Sequence, residues 1–334
     1  MIMLRQGLLV LIGCFILSTA VAAQEVGLAY YAPEVGSSAR SIRLGNIEGF
    51  SNLANTVFEN PAGLYRIRKA SVSAFTTEFM DEVGYTNFSV AMRLPVGMLG
   101  AGVMATGVDD IPETFLREDG EFDVSGYFNY KNYVGKLAYQ YSVSRYMHVG
   151  AAYTYYLTRF HEVEGKGQNL DLGFIIDSDA LDFSFTVKNV LRSQYVTYSD
   201  SSETPEGYEG SDAEYSSDGV QEQLPLQTVY ALRYTMRHFQ LFGQLKTVGK
   251  ERQFVRSFGL NYNPAFLPFF HLSGGYKQFA LTRSEEGETN TDINSSYTMG
   301  LGLDLFGLSF DYAFEKSEHI EFENKHYFSL GISF

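Results

Sequence analysis

The 334-residue chain carries 39 acidic against 25 basic side chains, a formal charge of −14, and that sign excludes a protein built to grip nucleic-acid phosphates. Charged residues are only 19% of the total while Gly (32), Tyr (24) and Phe (27) are abundant, a balance that favours strands over helices. The one cysteine, Cys14, excludes a disulfide framework and a cysteine zinc site.

In chain order, Met1 to Gln6 holds one cation, Arg5, and no acid; Gly7 to Ala20 is almost wholly apolar, and Val21-Ala22-Ala23 supplies small residues before Gln24. This pattern predicts a secretory signal peptide over 1–23. Leu11 to Cys14 also permits a lipoprotein reading, but that would place the apolar run Phe15 to Ala23 where a polar tether is expected. Cleavage after Ala23 leaves 334 − 23 = 311 residues with no run near the roughly 20 apolar residues a membrane helix needs. Mean hydropathy is −0.12, so any membrane crossing must be made by strands.

From Ser71 onward the dominant pattern is alternation, the mark of strands with one apolar face. It predicts strands at Ser71–Phe79, Val83–Leu94, Gly97–Val108, Tyr130–Val143, Tyr146–Phe160, Gly167–Ser178, Leu181–Arg192, Pro225–Arg237, His238–Val248, Gln253–Pro264, Pro268–Arg283, Ser296–Leu305, Gly307–Ser317 and Lys325–Phe334. The opposite face is rich in Gly, Ser, Thr and Asn, where a soluble sandwich would carry more charge. About fourteen strands of this kind, an even number, predict an all-β fold: a transmembrane antiparallel barrel. Connections alternate between short turns, such as Pro95-Val96 and Phe306, and long ones, Asp109 to Asn129, Ser193 to Leu224 and Ser284 to Ser295. That sorting predicts an outer-membrane location with periplasmic termini and extracellular long, acidic loops.

The stretch Ser38 to Arg66, SARSIRLGNIEGFSNLANTVFENPAGLYR, resembles the N-terminal segment of FadL-like and PorV/PorQ outer-membrane barrels, most closely the shorter PorV/PorQ branch, at Ala39, Arg40, Leu44, Gly45, Asn60, Pro61, Ala62, Gly63 and Leu64. The likeness continues at Asn169–Gly173, Val187–Val190, Gly300–Leu303 and Phe328–Leu330. The resemblance implies that 24–69 is a hatch inside a barrel formed by 70–334, with Asn60-Pro61-Ala62-Gly63-Leu64 as its motif. It further implies passage of hydrophobic small molecules across the outer membrane or, alternatively, docking of exported proteins in type IX secretion.

Inward alternation selects Lys136, Gln140, Asp171, Lys188, Arg233, Gln240, Gln244 and Asp304 as lumen-facing polar groups whose mixed signs suit a network holding a plug. Gly97, Gly100, Gly102 and Gly107 predict a bulged or kinked strand where the wall could open laterally. Phe328, Leu330, Ile332 and Phe334 on the final strand resemble the signal read by the barrel-assembly machinery. The six histidines, His148, His161, His238, His271, His319 and His326, have no metal-ligand spacing, and neither an H-E-x-x-H nor a G-x-S-x-G motif occurs. The acidic runs Asp200 to Glu222 and Ser284 to Asp292 read as solvated loops. No enzymatic activity, cofactor, metal or nucleic-acid partner is expected; outer-membrane lipid is.

Overall fold

The computed structural model describes residues 35–79, 83–117, 120–161, 163–178, 180–191, 195–200, 221–248, 253–285, 288–317 and 324–334. Sixteen strands follow in order: β1 Ala70–Phe79, β2 Val83–Arg93, β3 Met98–Leu116, β4 Phe122–Ser142, β5 Met147–Phe160, β6 Val163–Ile176, β7 Leu181–Lys188, β8 Tyr195–Asp200, β9 Gln221–Gln223, β10 Gln227–Met236, β11 Phe239–Val248, β12 Gln253–Tyr262, β13 Phe270–Glu285, β14 Glu288–Leu305, β15 Leu308–Ser317 and β16 Lys325–Ser333. β1 to β7 and β10 to β16, seven and seven, close an antiparallel ring of fourteen; β5 pairs with β6, and β1 with β16. The seam is finished by Phe334 N–H donating to Ala70 O (2.8 Å) and Lys69 N–H donating to Phe334 O (3.0 Å). A closed ring leaves no unpaired edge at membrane depth, which is what lipid demands of a strand-built wall.

One end of the ring is turned by tight connections. At Phe306-Gly307 both residues have positive φ (53° and 83°), the geometry whose twist matches flanking antiparallel strands. The other end is uneven. The expected loop Asp109 to Asn129 is mostly a continuation of β3 and β4, and Ser284 to Ser295 continues β13 and β14. These stretches lack a one-sided apolar pattern because beyond the membrane neither face need be apolar.

The ladder is also broken along β7. Asn189 takes φ 58°, and β6 side chains replace wall carbonyls: Asn189 N–H donates to Asp171 Oδ1 (3.0 Å) and Leu191 N–H to Asn169 Oδ1 (2.9 Å). β8 then resumes pairing with β6, and β9 with β8. The predicted strand Leu181–Arg192 therefore ends at Lys188.

Outward faces are apolar and uncovered: Phe258, Met299 and Leu330 are 56%, 58% and 59% exposed. A water-soluble sandwich would bury that belt; a membrane barrel presents it to lipid. The inner faces are small because a second length of backbone lies against them. Residues 35–69 run through the interior from Gly36, whose carbonyl accepts from Tyr85 OH (2.8 Å), to the tight-turn end. A Cβ added to Gly150 would stand 2.5 Å from Ala62 N, one on Gly259 2.6 Å from Leu44 O, and one on Gly102 2.5 Å from Phe58 Cζ. Gly173, Gly275 and Gly331 would strike Asn60, Gly45 and Leu53.

This corrects the expectation for β3. The β2–β3 ladder runs from Gly84↔Gly107 to Arg93↔Met98 without a register shift. Gly100 and Gly102 make room for Leu64 and Phe58, and Gly97 is a turn residue with φ 76°. The shifts lie beyond Gly107, against β4, between Val108 and Ile111 and between Glu113 and Thr114. Gly150→Val should force the Pro61-Ala62 backbone off the wall and cost about 1–3 kcal/mol. A lower thermal unfolding temperature together with faster proteolysis within 35–69 would register this; an unchanged pair of readings would mean that the close approach is not tight.

Candidate functional site

The inner segment is held at three polar anchor points spaced around the ring. Near its start, in the helical turn Ala39–Ile42, Ser38 Oγ accepts from Ser41 N–H and directs the chain so that Arg40 faces the wall. Arg40 Nη2 meets Asp304 Oδ1 at 2.6 Å, its Nε meets Asp311 Oδ2 at 3.0 Å, and Arg43 Nη2 lies 3.2 Å from Asp311 Oδ1. Next, Glu48 is clasped between Lys188 of β7 and Lys246 of β11, the latter at 2.9 Å, while its N–H donates to Gln244 Oε1 (2.8 Å). Burial opposes the charge on Glu48, but the two ammonium groups outweigh it and bring its pKa down to about 2. Finally, Asn60 Oδ1 caps the 3-10 turn Pro61–Arg66 by accepting from Ala62 N–H (2.9 Å), and its Nδ2 donates to Ser184 Oγ (2.8 Å) and Phe185 O (3.2 Å). Buried ion pairs of this kind contribute little net stability relative to apolar packing, but removing one partner is costly. They fix where the segment sits.

At the tight-turn end the segment leaves through a stack of rings and guanidinium groups. His148 of β5 lies on Tyr65 with centroids 3.5 Å apart and planes 8° from parallel. Arg66 lies 4.7 Å from the Tyr65 centroid and 5.6 Å from that of Phe50, and Arg233 of β10 is 5.3 Å from Phe50. Tyr65 OH donates to Asp177, and Arg233 pairs with Asp182. Beside this stack is a cavity of about 470 Å³, bordered by Arg43, Ile47, Phe50, Arg66 and Phe242, within the volume range of small-molecule sites.

The polar residues selected from the sequence all face inward, but in different company. Lys188 and Gln244 hold Glu48; Asp304 holds Arg40 and also lies 3.1 Å from His271 Nε2. Lys136 and Asp171 pair wall to wall, next to the interruption at Asn189. Arg233 joins Asp182 and the ring stack, Gln240 borders the cavity, and Gln140 donates to Ser142. The motif Asn60 to Leu64 is buried against β3, β5, β6 and β7. Phe328, Leu330, Ile332 and Phe334 point outward on the closing strand.

Sequence reasoning passes over Arg43, Glu48, Glu59, Lys246 and Asp311. Lys246 and Asp311 occupy inward positions and are accessible to the same alternation; Arg43 and Glu48 lie in irregular chain that has no period, and Glu59 ends the four-residue helix Thr56–Glu59, too short to show one. His148, His271 and His326 are engaged separately, His326 with Tyr312 at 2.8 Å, and the described residues hold no group of three potential metal ligands. The expected signal peptide 1–23 with Cys14, the acidic stretch 201–220, the side chains of 281–292, residues 80–82 and His319 lie outside what is described.

No protein-family model matches the sequence, and no curated protein does. Solved structures do match. The Pseudomonas putida toluene transporter TodX is similar at a TM-score of 0.59 and 12% identity, over 90% of this chain and 99% of that one. The deltaS2S3 mutant of the TodX monoaromatic hydrocarbon channel is similar at 0.57 and 12%, over 89% and 97%. At this identity the likeness establishes a shared barrel architecture.

Two outcomes test the anchoring. Glu48→Gln strands two buried lysines, and should destabilise the seated segment by about 3–5 kcal/mol, read as accelerated hydrogen exchange across 44–50. Glu59 is buried without a cation of its own, accepting from Ser37, from Asn55 Nδ2 (3.0 Å) and from Gly49 N–H (2.9 Å). Burial, helped by nearby Glu48 and opposed by the donors and Lys188, pushes it up to about 7. A carboxyl raised in the folded state contributes stability that is full below about 4.5 and lost as pH rises through about 7. Thermal unfolding of the wild type should therefore fall between pH 5 and 8 by more than that of Glu59→Gln; parallel curves would refute the assignment.

Proposed function

We propose that the chain is an outer-membrane channel of the FadL kind that passes small hydrophobic molecules, with 1–23 as its leader and 35–69 as a hatch in the barrel formed by 70–334. One observation carries this reading: the interior is occupied by a segment tied to the wall through side-chain ion pairs and hydrogen bonds, while the fourteen wall strands pair in a closed ring of their own. Such a plug fits its seat yet shares no ladder with the barrel, so it can shift as the ring stays closed. TodX, a toluene transporter, has the same architecture, which supports an uncharged aromatic or aliphatic cargo.

On this reading the tight turns and the end of β16 face the periplasm and the uneven end faces outward. Cargo passes beside the hatch toward the cavity bordered by Ile47, Phe50 and Phe242, whose apolar surfaces give it a resting place before release. Outward Phe328, Leu330, Ile332 and Phe334 serve the assembly machinery, and lipid contacts the belt.

Single-channel conductance in planar bilayers, with and without residues 39–64, tests the hatch. The intact chain should be closed to ions and the deletion open. Toluene uptake by cells with an asymmetric outer membrane tests the cargo: expression should accelerate it, and Lys246→Met, which loosens the clasp on Glu48, should accelerate it further. Large steady conductance of the intact chain would overturn the hatch, and uptake indifferent to expression would overturn the transport reading.

A further inference from the structure

A second concavity lies on the opposite side of the wall, on the outward face of β1 to β4. At this level the belt is hollowed. Outward positions that elsewhere carry Leu137, Phe258 or Met299 are here Gly84, Thr86, Ala105 and Gly107, giving a groove of about 630 Å³. Its outward orientation follows from register: Gly84 pairs with Glu78 and Gly107, and Thr86 with Ala105, on the face that Phe88 and Val103 share. The two register shifts beyond Val108, with Asp110 at φ 57°, interrupt the β3–β4 ladder where Asp110, Ile111 and Pro112 border the groove.

The charges at its rim are unbalanced. Lys131 Nζ is neutralised by Asp109 Oδ1 at 2.6 Å. Glu78 and Asp110, which also border the groove, have no cationic partner among the described residues. The level is that of a membrane boundary: the outward Arg159, paired with Lys131 across β4 and β5, meets Glu164, which meets Lys166. Below lies an uncharged floor of small side chains facing the hydrocarbon; above lie two free carboxylates facing water.

We infer that this groove binds a single-chain amphiphile with a cationic amine head, its chain on the Gly84–Ala105 floor and its head between Glu78 and Asp110. The chemistry follows from the charge left over. An anionic head would be repelled by both carboxylates with Lys131 already committed, and an uncharged chain would leave them unused. The inference rests on the reading of the belt as membrane-embedded and is independent of what passes through the lumen.

The chain has no Trp, so Tyr133→Trp, at the groove wall, supplies a lone fluorophore for the full chain in lipid nanodiscs. The probes are a terminally dibrominated dodecyltrimethylammonium, the dodecyl sulfate of the same chain, and uncharged dibromododecane. The ammonium probe should quench saturably at about tenfold lower concentration than the sulfate. Glu78→Gln with Asp110→Asn should erase that difference. Gly84→Leu should abolish saturable quenching; a Cβ at Gly84 meets nothing nearer than Gly107 O at 3.9 Å, so the new side chain enters the groove without disturbing the ladder.

Equal quenching by ammonium and sulfate, or quenching that survives Gly84→Leu, would reduce the effect to partitioning into the disc and overturn the site. Saturation by dibromododecane at the ammonium concentration would overturn the amine head and make the groove a site for neutral molecules. Discs of brominated phospholipid without probe isolate the premise: failure to quench the introduced indole there would mean that the belt is not embedded, whatever the groove binds.

Discussion

The width of the ring governs everything else. Fourteen strands enclose more space than side chains can fill from the wall alone, and the space is taken by a second run of backbone. Backbone against backbone requires that one partner give up its side chains, and the wall does so at Gly102, Gly150, Gly173, Gly259 and Gly275. The abundance of glycine in the composition thus has a spatial meaning. It recurs where the ring must let another chain come close, while the outward positions beside those glycines keep the bulk that the belt needs.

Close approach alone would leave the segment free to slide or turn. Polar anchors prevent this by being mutually exclusive in charge: guanidinium groups of the segment meet carboxylates of β14 and β15, whereas the carboxylate of the segment meets lysines of β7 and β11. A rotated segment would set Arg43 against Lys246 and Glu48 against Asp311, like against like. The clasp on Glu48 also joins the segment to the one place where the ladder is interrupted, because Lys188 is the last residue of β7 before Asn189 turns away. Position of the inner segment and shape of the wall are therefore mechanically adjacent.

Much of this is readable from sequence, and the reasons for the misses are physical. The existence of the fourteen wall strands and the sense of their inward polar positions follow from alternation, because a lipid-facing side chain at every second residue is a strict rule; β8 and β9, inside the expected loop Ser193 to Leu224, carry no such signal. Strand length does not follow for β3, β4, β13 and β14, since the rule lapses once the strand leaves the membrane. The β3 glycines suggest a bend because a missing side chain looks the same whether it frees a backbone or admits a neighbour; Phe58, far earlier in the chain, is what distinguishes the two. Glu48 sits in irregular chain and Glu59 at the end of a single helical turn, where no periodicity marks them, and their importance appears only when Lys188 and Ser37 are brought beside them.

The unequal strands have a consequence for traffic at the surface. β1 and β2 have 10 and 11 residues, near the minimum for a membrane crossing, whereas β3 and β4 have 19 and 21. At about 3.3 Å per residue the excess raises the rim by roughly 30 Å along the strand at β3 and β4, and β13 and β14, with 16 and 18 residues, raise it again on the far side of the short strands. The rim is thus low at β1, β2, β15 and β16, between two raised hairpins. With that end outward, as proposed, a polymer layer over the membrane is held off by the raised hairpins, and a molecule creeping along the membrane plane meets the low stretch first, so the rim ranks arrivals by direction before any side chain ranks them by chemistry.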